Sequence, residues 1–259
     1  MSDLQVEQRD HIVTVTLDRP PVNAVDNEVF GQLHEVFSGL GDDRNVRAAI
    51  FTGAGRKAFC AGADLKPTRT KPRAERHPQE LTDAGRVARE AMWAIIDCDV
   101  PVVGAVNGAA LGAGLALAAC CDMLVASETA TFGTPEINVG LLGASAHLLS
   151  MMGRHKAREM FLTGEAVSAA EMHRIGAVRE VTDPDRLMDT ARELAGVLAS
   201  KSPIAMRLAK ESMNRTEHLS LREAYRTEQD YTARLLRFED SREARRAFRE
   251  RRDPDFKWE

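Results

Sequence analysis

Apolar and polar residues alternate most clearly from Ile12 to Leu17, with Val13, Val15 and Leu17 on one side and Thr14 and Thr16 on the other. A period of two predicts a half-buried strand. Arg19-Pro20-Pro21 ends it, because proline has no N–H to give a ladder. From Asp26 the period lengthens, and Val29, Leu33, Val36, Phe37 and Leu40 share one face of a helix that Asp26 is placed to cap. The run Val46 to Thr52 predicts a buried strand stopping at Gly53.

Residues Pro67 to Gln79 hold three prolines and few apolar residues, which predicts a surface loop, with a helix following to about Cys98. Pro101 to Val106 is a predicted strand that enters the glycine-rich segment Asn107 to Gly114. An apolar helix over Leu115 to Cys121 and a strand over Asp122 to Ala126 are expected next. Beyond about residue 150 the pattern turns helical. Leu187, Ala191, Leu194, Ala195 and Leu198 mark one amphipathic helix, Ser202-Pro203 opens another, and a charged helical stretch covers Leu221 to Glu250. The tail from Arg251 to Glu259 carries Phe256 and Trp258 and reads as extended, with exposed aromatics that suit a partner surface. Alternating strands and helices followed by helices alone predict an α/β fold with parallel strands. The division expected is a core over 1–200 and a helical C-terminal region over 201–259.

Charge narrows the function. With 35 Lys and Arg against 39 Asp and Glu, the net charge is -4, which argues against a general nucleic-acid binder. The chain has no apolar run of membrane-spanning length, and MSDLQVEQRD lacks a signal peptide's basic and apolar regions, so a cytoplasmic location is expected. Four cysteines without a Cys-x-x-Cys pair suggest small buried hydrophobes, with no metal site.

Three segments carry chemistry. In GAGRKAFCAGADLK, the small residues Ala61, Gly62 and Ala63 let a ligand approach the backbone, and Lys57 and Lys66 flank them as charges for phosphate oxygens. In Asn107 to Gly114, a glycine-rich turn feeding a helix offers N–H groups to an anion, whether phosphate or a reaction's oxyanion. Its G-x-x-x-G-x-G spacing does not fit a dinucleotide fingerprint. In TFGTPEINVG, Glu136 is an acid among apolar and small residues, surroundings that suit a general base; a helix-start acid is the plainer alternative. Two backbone-donor turns and one embedded acid are the parts needed to remove a proton beside a carbonyl.

These segments, with LDRPPVNAVD before them and LTGEAVSAAEMHRIGAVREV and SPIAMRLAKESMN after, resemble the enoyl-CoA hydratase/isomerase, or crotonase, family over nearly the whole chain. The resemblance implies a spiral of β-β-α units with a helical C-terminal region, assembled as homotrimers or homohexamers. It implies an acyl-CoA substrate, with coenzyme A as part of that substrate and no separate cofactor. The N–H groups of Ala63 and Ala113 match the family's oxyanion hole. Ala61, Ala63, Asp64, Leu65 and Lys66 match the segment along the acyl-CoA, with Lys57 nearby and Gly112 beside Ala113. Glu136 matches a catalytic acid/base.

Two departures shape the expected reaction. Hydratases of the family usually carry a second glutamate in the helix after the glycines, and Ala116 stands there. The stretch VGLLGASAHLLSMMG is shorter than its family counterpart and holds His147, a possible replacement acid or base or simply a packed histidine. A single glutamate implies isomerase-like proton transfer over efficient hydration. A hydrolase or lyase acting on a cyclic or β-keto thioester, or a non-catalytic acyl-CoA binder, are the alternatives.

Overall fold

In the computed structural model, residues 2–64 and 78–259 are described. Strands β1 (Leu4–Arg9) and β2 (Ile12–Leu17) form an antiparallel hairpin, and helix α1 (Asn27–Gly39) follows. Asp26 caps α1 as expected, its Oδ1 accepting from the N–H groups of Glu28 at 3.0 Å and Val29 at 3.1 Å. Next come β3 (Ala48–Gly53), β4 (Ala58–Cys60), α2 (Pro78–Thr82), α3 (Arg86–Ile96), β5 (Val102–Val106) and β6 (Ala109–Leu111). Then follow α4 (Ala113–Ala119), β7 (Met123–Ser127), β8 (Thr131–Gly133), α5 (Ser145–Met151), α6 (Arg154–Thr163), β9 (Val167–Ser168), α7 (Ala169–Arg174) and β10 (Glu180–Thr182). Helices α8 (Leu187–Ala199), α9 (Pro203–Thr216), α10 (Leu221–Leu235) and α11 (Glu239–Glu250) complete the chain.

Successive strand pairs divide between two sheets. The larger has the order β1-β2-β3-β5-β7-β10, parallel from β2 onward; the smaller has the order β4-β6-β8-β9, in which β4, β6 and β8 are parallel. Thus β3/β4, β5/β6 and β7/β8 each give one strand to each sheet. This is the crotonase spiral.

Strand β3 explains why the larger sheet is covered on both faces. Its alternate residues Ala49 and Phe51 join the cluster that includes Leu33 and Phe37 of α1, while Ala48 and Ile50 meet Leu187, Ala191 and Ala195 of α8. Phe51 stands edge-on to both Phe37 and Phe59, with ring centroids 5.4 and 5.0 Å apart. Burial of one such ring contributes about 1.5–3 kcal/mol. Helix α9 is tied to this core by Lys210, whose buried ammonium donates to Asp122 at 2.7 Å and to the carbonyls of Val100 and Ile95.

Several expectations shift. The helix after the glycines begins at Ala113, two residues earlier than its apolar run suggests, because Gly112 (φ 54°) turns the chain directly into it. The glycine-rich segment also contains a strand, β6. The charged stretch from Leu221 is two helices, interrupted between Leu236 and Phe238. Of the expected loop, residues 67–77 lie outside the described residues, and Pro78 and Gln79 belong to α2. The tail has no regular structure, yet its aromatics are half-buried instead of exposed. Trp258 lies under the Arg207 guanidinium at 4.7 Å, and Asp240 accepts from the N–H groups of Lys257 and Trp258. No helix among the described residues is long and apolar enough to cross a membrane.

Candidate active site

The smaller sheet brings the three chemical segments together. In the parallel pair β4/β6, Cys60 faces Ala110, and in β6/β8, Leu111 faces Gly133. All three strands therefore end on one edge, and there the chain continues as Ala61–Asp64, Gly112–Gly114 and Thr134–Glu136. A bond from Gly112 N–H to the Gly133 carbonyl at 2.9 Å fastens the second segment to the third.

Glycine permits the close approach of the first two. A methyl added at Gly114 would lie 1.9 Å from the Cys60 carbonyl oxygen, so α4 rests directly on the β4 backbone. One added at Gly62 (φ 111°) would lie 3.1 Å from the Leu111 oxygen and 3.9 Å from Ala113 N. The segment holding Ala63 is pinned by two bonds to Val25, from Val25 N–H to the Gly62 carbonyl and from Asp64 N–H to the Val25 carbonyl. Neither Ala63 N–H nor Ala113 N–H has an acceptor among the described residues. Ala113 is the first residue of α4, where helix geometry leaves N–H groups without an internal partner.

Glu136 lies in the first turn of a 3₁₀ helix, Pro135–Val139, whose opening residue Thr134 provides no side-chain cap. Its carboxylate lies over the donor turn. A methyl on Gly112 would be 2.5 Å from Glu136 Oε1, and one on Gly143 would be 2.7 Å from the same atom. The other oxygen, Oε2, is buried without a hydrogen-bond partner among the described residues. Carboxylate and donor turn thus share one site.

The remaining predicted residues divide. Ala61 is half-buried beside the turn, and its N–H donates to the Val22 carbonyl. The Asp64 carboxylate is engaged by Arg19 at 3.3 Å, which makes it part of the support of this turn. Lys57 is exposed at the opposite, N-terminal end of β4, with its backbone against Gly108. Leu65 and Lys66 lie outside the described residues. The loop containing Lys57 is held by two buried asparagines: Asn23 donates to the carbonyls of Ala54 and Ala58, and Asn107 to those of Gly55 and Ala58. Ala116 is 2% exposed, one turn along α4 from Ala113. His147, in α5, is half-buried; burial lowers its proton affinity, and its Nδ1 has no partner among the described residues. Residue-by-residue reading missed Arg19, Asn23 and Thr134. Only Arg19 left a trace, as a charge set against two prolines where a strand stops.

The chain belongs to the enoyl-CoA hydratase/isomerase family, which it matches over residues 7–259. Among its relatives, the carnitinyl-CoA dehydratase of Proteus mirabilis (strain HI4320) is 36% identical, over 98% of both chains. The (7aS)-7a-methyl-1,5-dioxo-2,3,5,6,7,7a-hexahydro-1H-indene-carboxyl-CoA hydrolase of Rhodococcus jostii (strain RHA1) is 38% identical, over 87% of this chain and 86% of that one. The crystal structure of an enoyl-CoA hydratase from Bacillus anthracis superposes with a TM-score of 0.90 at 32% identity, covering 99% of this chain and 100% of that one.

Proposed function

We propose that the protein binds an acyl-CoA thioester, receives the oxygen of its enolate on the N–H groups of Ala63 and Ala113, and moves a proton with Glu136. The observation that carries this reading is the Glu136 carboxylate, lying over Gly112 with Oε2 buried and unpartnered, beside an N–H that no described residue engages. The thioester carbonyl accepts from both donors. As Glu136 takes a proton from the adjacent carbon, the electron pair of that C–H bond moves into the enolate, and the charge that develops on the oxygen is held by the two donors. Returning the proton to the same carbon is exchange. Returning it two carbons along an unsaturated chain is double-bond migration. Ala116 offers no titratable group, so addition of water lacks its second carboxylate and proton transfer is favoured over efficient hydration.

Lys57 and Lys66 are assigned to the coenzyme A phosphates, and Asp64 to holding the turn through Arg19. A cytoplasmic homotrimer or homohexamer is the expected assembly. A second reading, hydrolytic cleavage of a cyclic or β-keto acyl-CoA, is favoured by the 38% identity to a hydrolase whose named substrate is a bicyclic dioxo acyl-CoA. The enolate oxygen and its donors serve both.

The test is deuterium uptake at the α-carbon of butyryl-CoA in D₂O, followed by NMR. The unmodified protein is expected to catalyse exchange, and Glu136→Gln to lose it by about 10²–10⁴-fold, since the amide cannot accept the proton. Exchange that persists in the variant overturns the assignment. A panel of enoyl, β-keto and cyclic thioesters then separates migration from hydrolysis.

A further inference from the structure

Strand β4 reaches the site with little help from its own ladder. It has three residues, and between its pairs with β6, Ala58 with Ala109 and Cys60 with Ala110, β4 advances two residues while β6 advances one. An extra residue on one strand disrupts a ladder locally, so pairing alone fixes this register poorly. The contact of Gly114 with the Cys60 carbonyl sets how closely β4 and α4 approach. It does not set how far β4 runs along its own axis, and that decides where Ala63 stands.

Two side chains supply what the ladder lacks. Asn23 and Asn107 are both buried, and both donate to the Ala58 carbonyl, at 2.8 and 3.2 Å. Asn23 Nδ2 also donates to the Ala54 carbonyl, and its Oδ1 accepts from the Arg19 N–H. Asn107 Nδ2 also donates to the Gly55 carbonyl, and its Oδ1 accepts from the Gly53 N–H. Each amide thus gives both of its N–H groups to carbonyls of β4 and the loop before it, which an ionised carboxylate cannot do.

These bonds lead to both donors. Asn107 stands two residues before β6, and β6 leads to Ala113. One side chain therefore ties together the starts of two strands whose far ends carry the two N–H groups. Asn23 belongs to a segment that runs beside β4. There the Ala61 N–H donates to the Val22 carbonyl, the Val25 N–H to the Gly62 carbonyl and the Asp64 N–H to the Val25 carbonyl. Residues 22–25 hold β4 at its first residue and the chain on both sides of Ala63.

We infer that Asn23 and Asn107 are positioning residues for the oxyanion donors: by holding β4 at Ala58 they set where the Ala63 N–H stands relative to the Ala113 N–H. The inference rests on the oxyanion reading of these two groups and names the side chains that keep them in register.

The experiment compares the full chain with Asn23→Asp and Asn107→Asp, each confirmed as folded by circular dichroism. Both variants are expected to slow α-proton exchange at saturating butyryl-CoA by about ten- to a hundredfold. Affinity for butyryl-CoA, from calorimetry, should change by no more than about threefold. Carbon-13 NMR of butyryl-CoA labelled at the thioester carbonyl gives the second readout. Its downfield displacement on binding the parent should shrink in both variants, because a misplaced donor polarises the carbonyl less. Asn214→Asp makes the same chemical change in α9, where the Asn214 amide donates to the Ile96 carbonyl. It should lower the unfolding midpoint and leave exchange and resonance at the parent's values. Should the aspartate variants not fold, Asn23→Gly, which suits φ 55° at that position, and Asn107→Ser are judged by the same criteria. Parent-level exchange in the folded variants, affinity lost as fully as rate, or an equal loss in Asn214→Asp overturns the inference alone. A parent that neither exchanges the proton nor displaces the resonance removes the oxyanion reading with it.

Discussion

Arg19 and Asp64 meet at 3.3 Å, and through them the donor turn at Ala63 is fastened to the start of α1. The same guanidinium donates to the Ala24 carbonyl and to Asp26 Oδ2, both at 2.7 Å, while Asp26 Oδ1 caps the helix. Arg19 is therefore a positioning residue for a group it does not touch. Replacing it by Lys keeps the charge but loses the planar fork that serves these acceptors together. Arg19→Lys and Asp64→Asn are expected to slow α-proton exchange by about ten- to a hundredfold through misplacement of Ala63. Thioester affinity should fall much less. Exchange kinetics set beside calorimetry check this, and equal losses in both would show a general weakening of the site instead.

The two glycines flanking Ala113 should fail differently when changed to alanine. At Gly112 a methyl meets the movable Glu136 carboxylate at 2.5 Å, so Gly112→Ala should lose proton exchange, with about 1–3 kcal/mol of backbone strain at φ 54° and ψ -116°. At Gly114 it meets the Cys60 backbone carbonyl at 1.9 Å, which no side-chain rotation relieves. Gly114→Ala is expected to cost about 1–3 kcal/mol or more of stability, seen in urea unfolding. Parent-level proton exchange in a folded Gly112→Ala, or a parent-like unfolding midpoint for Gly114→Ala, would contradict this contrast.

At Ala116 the prediction concerns water. A positioned acid or base is worth about 10²–10⁴ in rate, so crotonyl-CoA hydration should run slower than in a two-carboxylate hydratase by about that factor. Ala116→Glu places a carboxyl one turn beyond Ala113 and is expected to raise the hydration rate. Efficient hydration by the unmodified protein would mean that another group supplies the missing function. His147→Gln would then be the variant to test.

Acid should release the C-terminal tail. The Glu243 carboxylate is held far below the usual range, first by the Arg252 guanidinium and next by the Asp255 N–H at 3.0 Å. A carboxyl more acidic folded than unfolded stabilises the folded form above its unfolded value, about 4.3, and loses that contribution as pH falls below it. Trp258, with its N–H on Asp240 and its ring under Arg207, reports the change. In a Trp93→Phe background its fluorescence should shift below about pH 4, and Glu243→Gln should produce that shift at neutral pH. A signal constant from pH 7 to pH 3 contradicts this.

What the sequence disclosed depended on the range of each interaction. Strand β2 and helix α1 followed from local period and an N-cap, and both lie where expected. Ala63, Ala113 and Glu136 were named as site residues from three separate segments, but that all three stand at the ends of adjacent strands needed β6 and β8. Each has three residues, too few for alternation to register. Arg19 and Thr134 escaped notice because their significance lies in contacts, or in the lack of one, with distant segments. Phe256 and Trp258 were expected to be exposed, because nothing local announces that Arg207 and Asp240 come to meet the tail.

The seating of Gly114 on the Cys60 carbonyl has a wider consequence. The spacing of the two donor N–H groups is gauged by main chain against main chain, with no side chain interposed as a shim. Under the proposed reading, exchanges in the segment from Thr134 to His147 would alter which acyl group fits without retuning the grip on the thioester oxygen. Electrophilic activation and acyl selection become separately adjustable parts of one cavity, and a library randomised only in that segment should change substrate preference while the carbonyl remains equally polarised. The carbonyl stretching frequency of a bound, unreactive thioester would record that constancy.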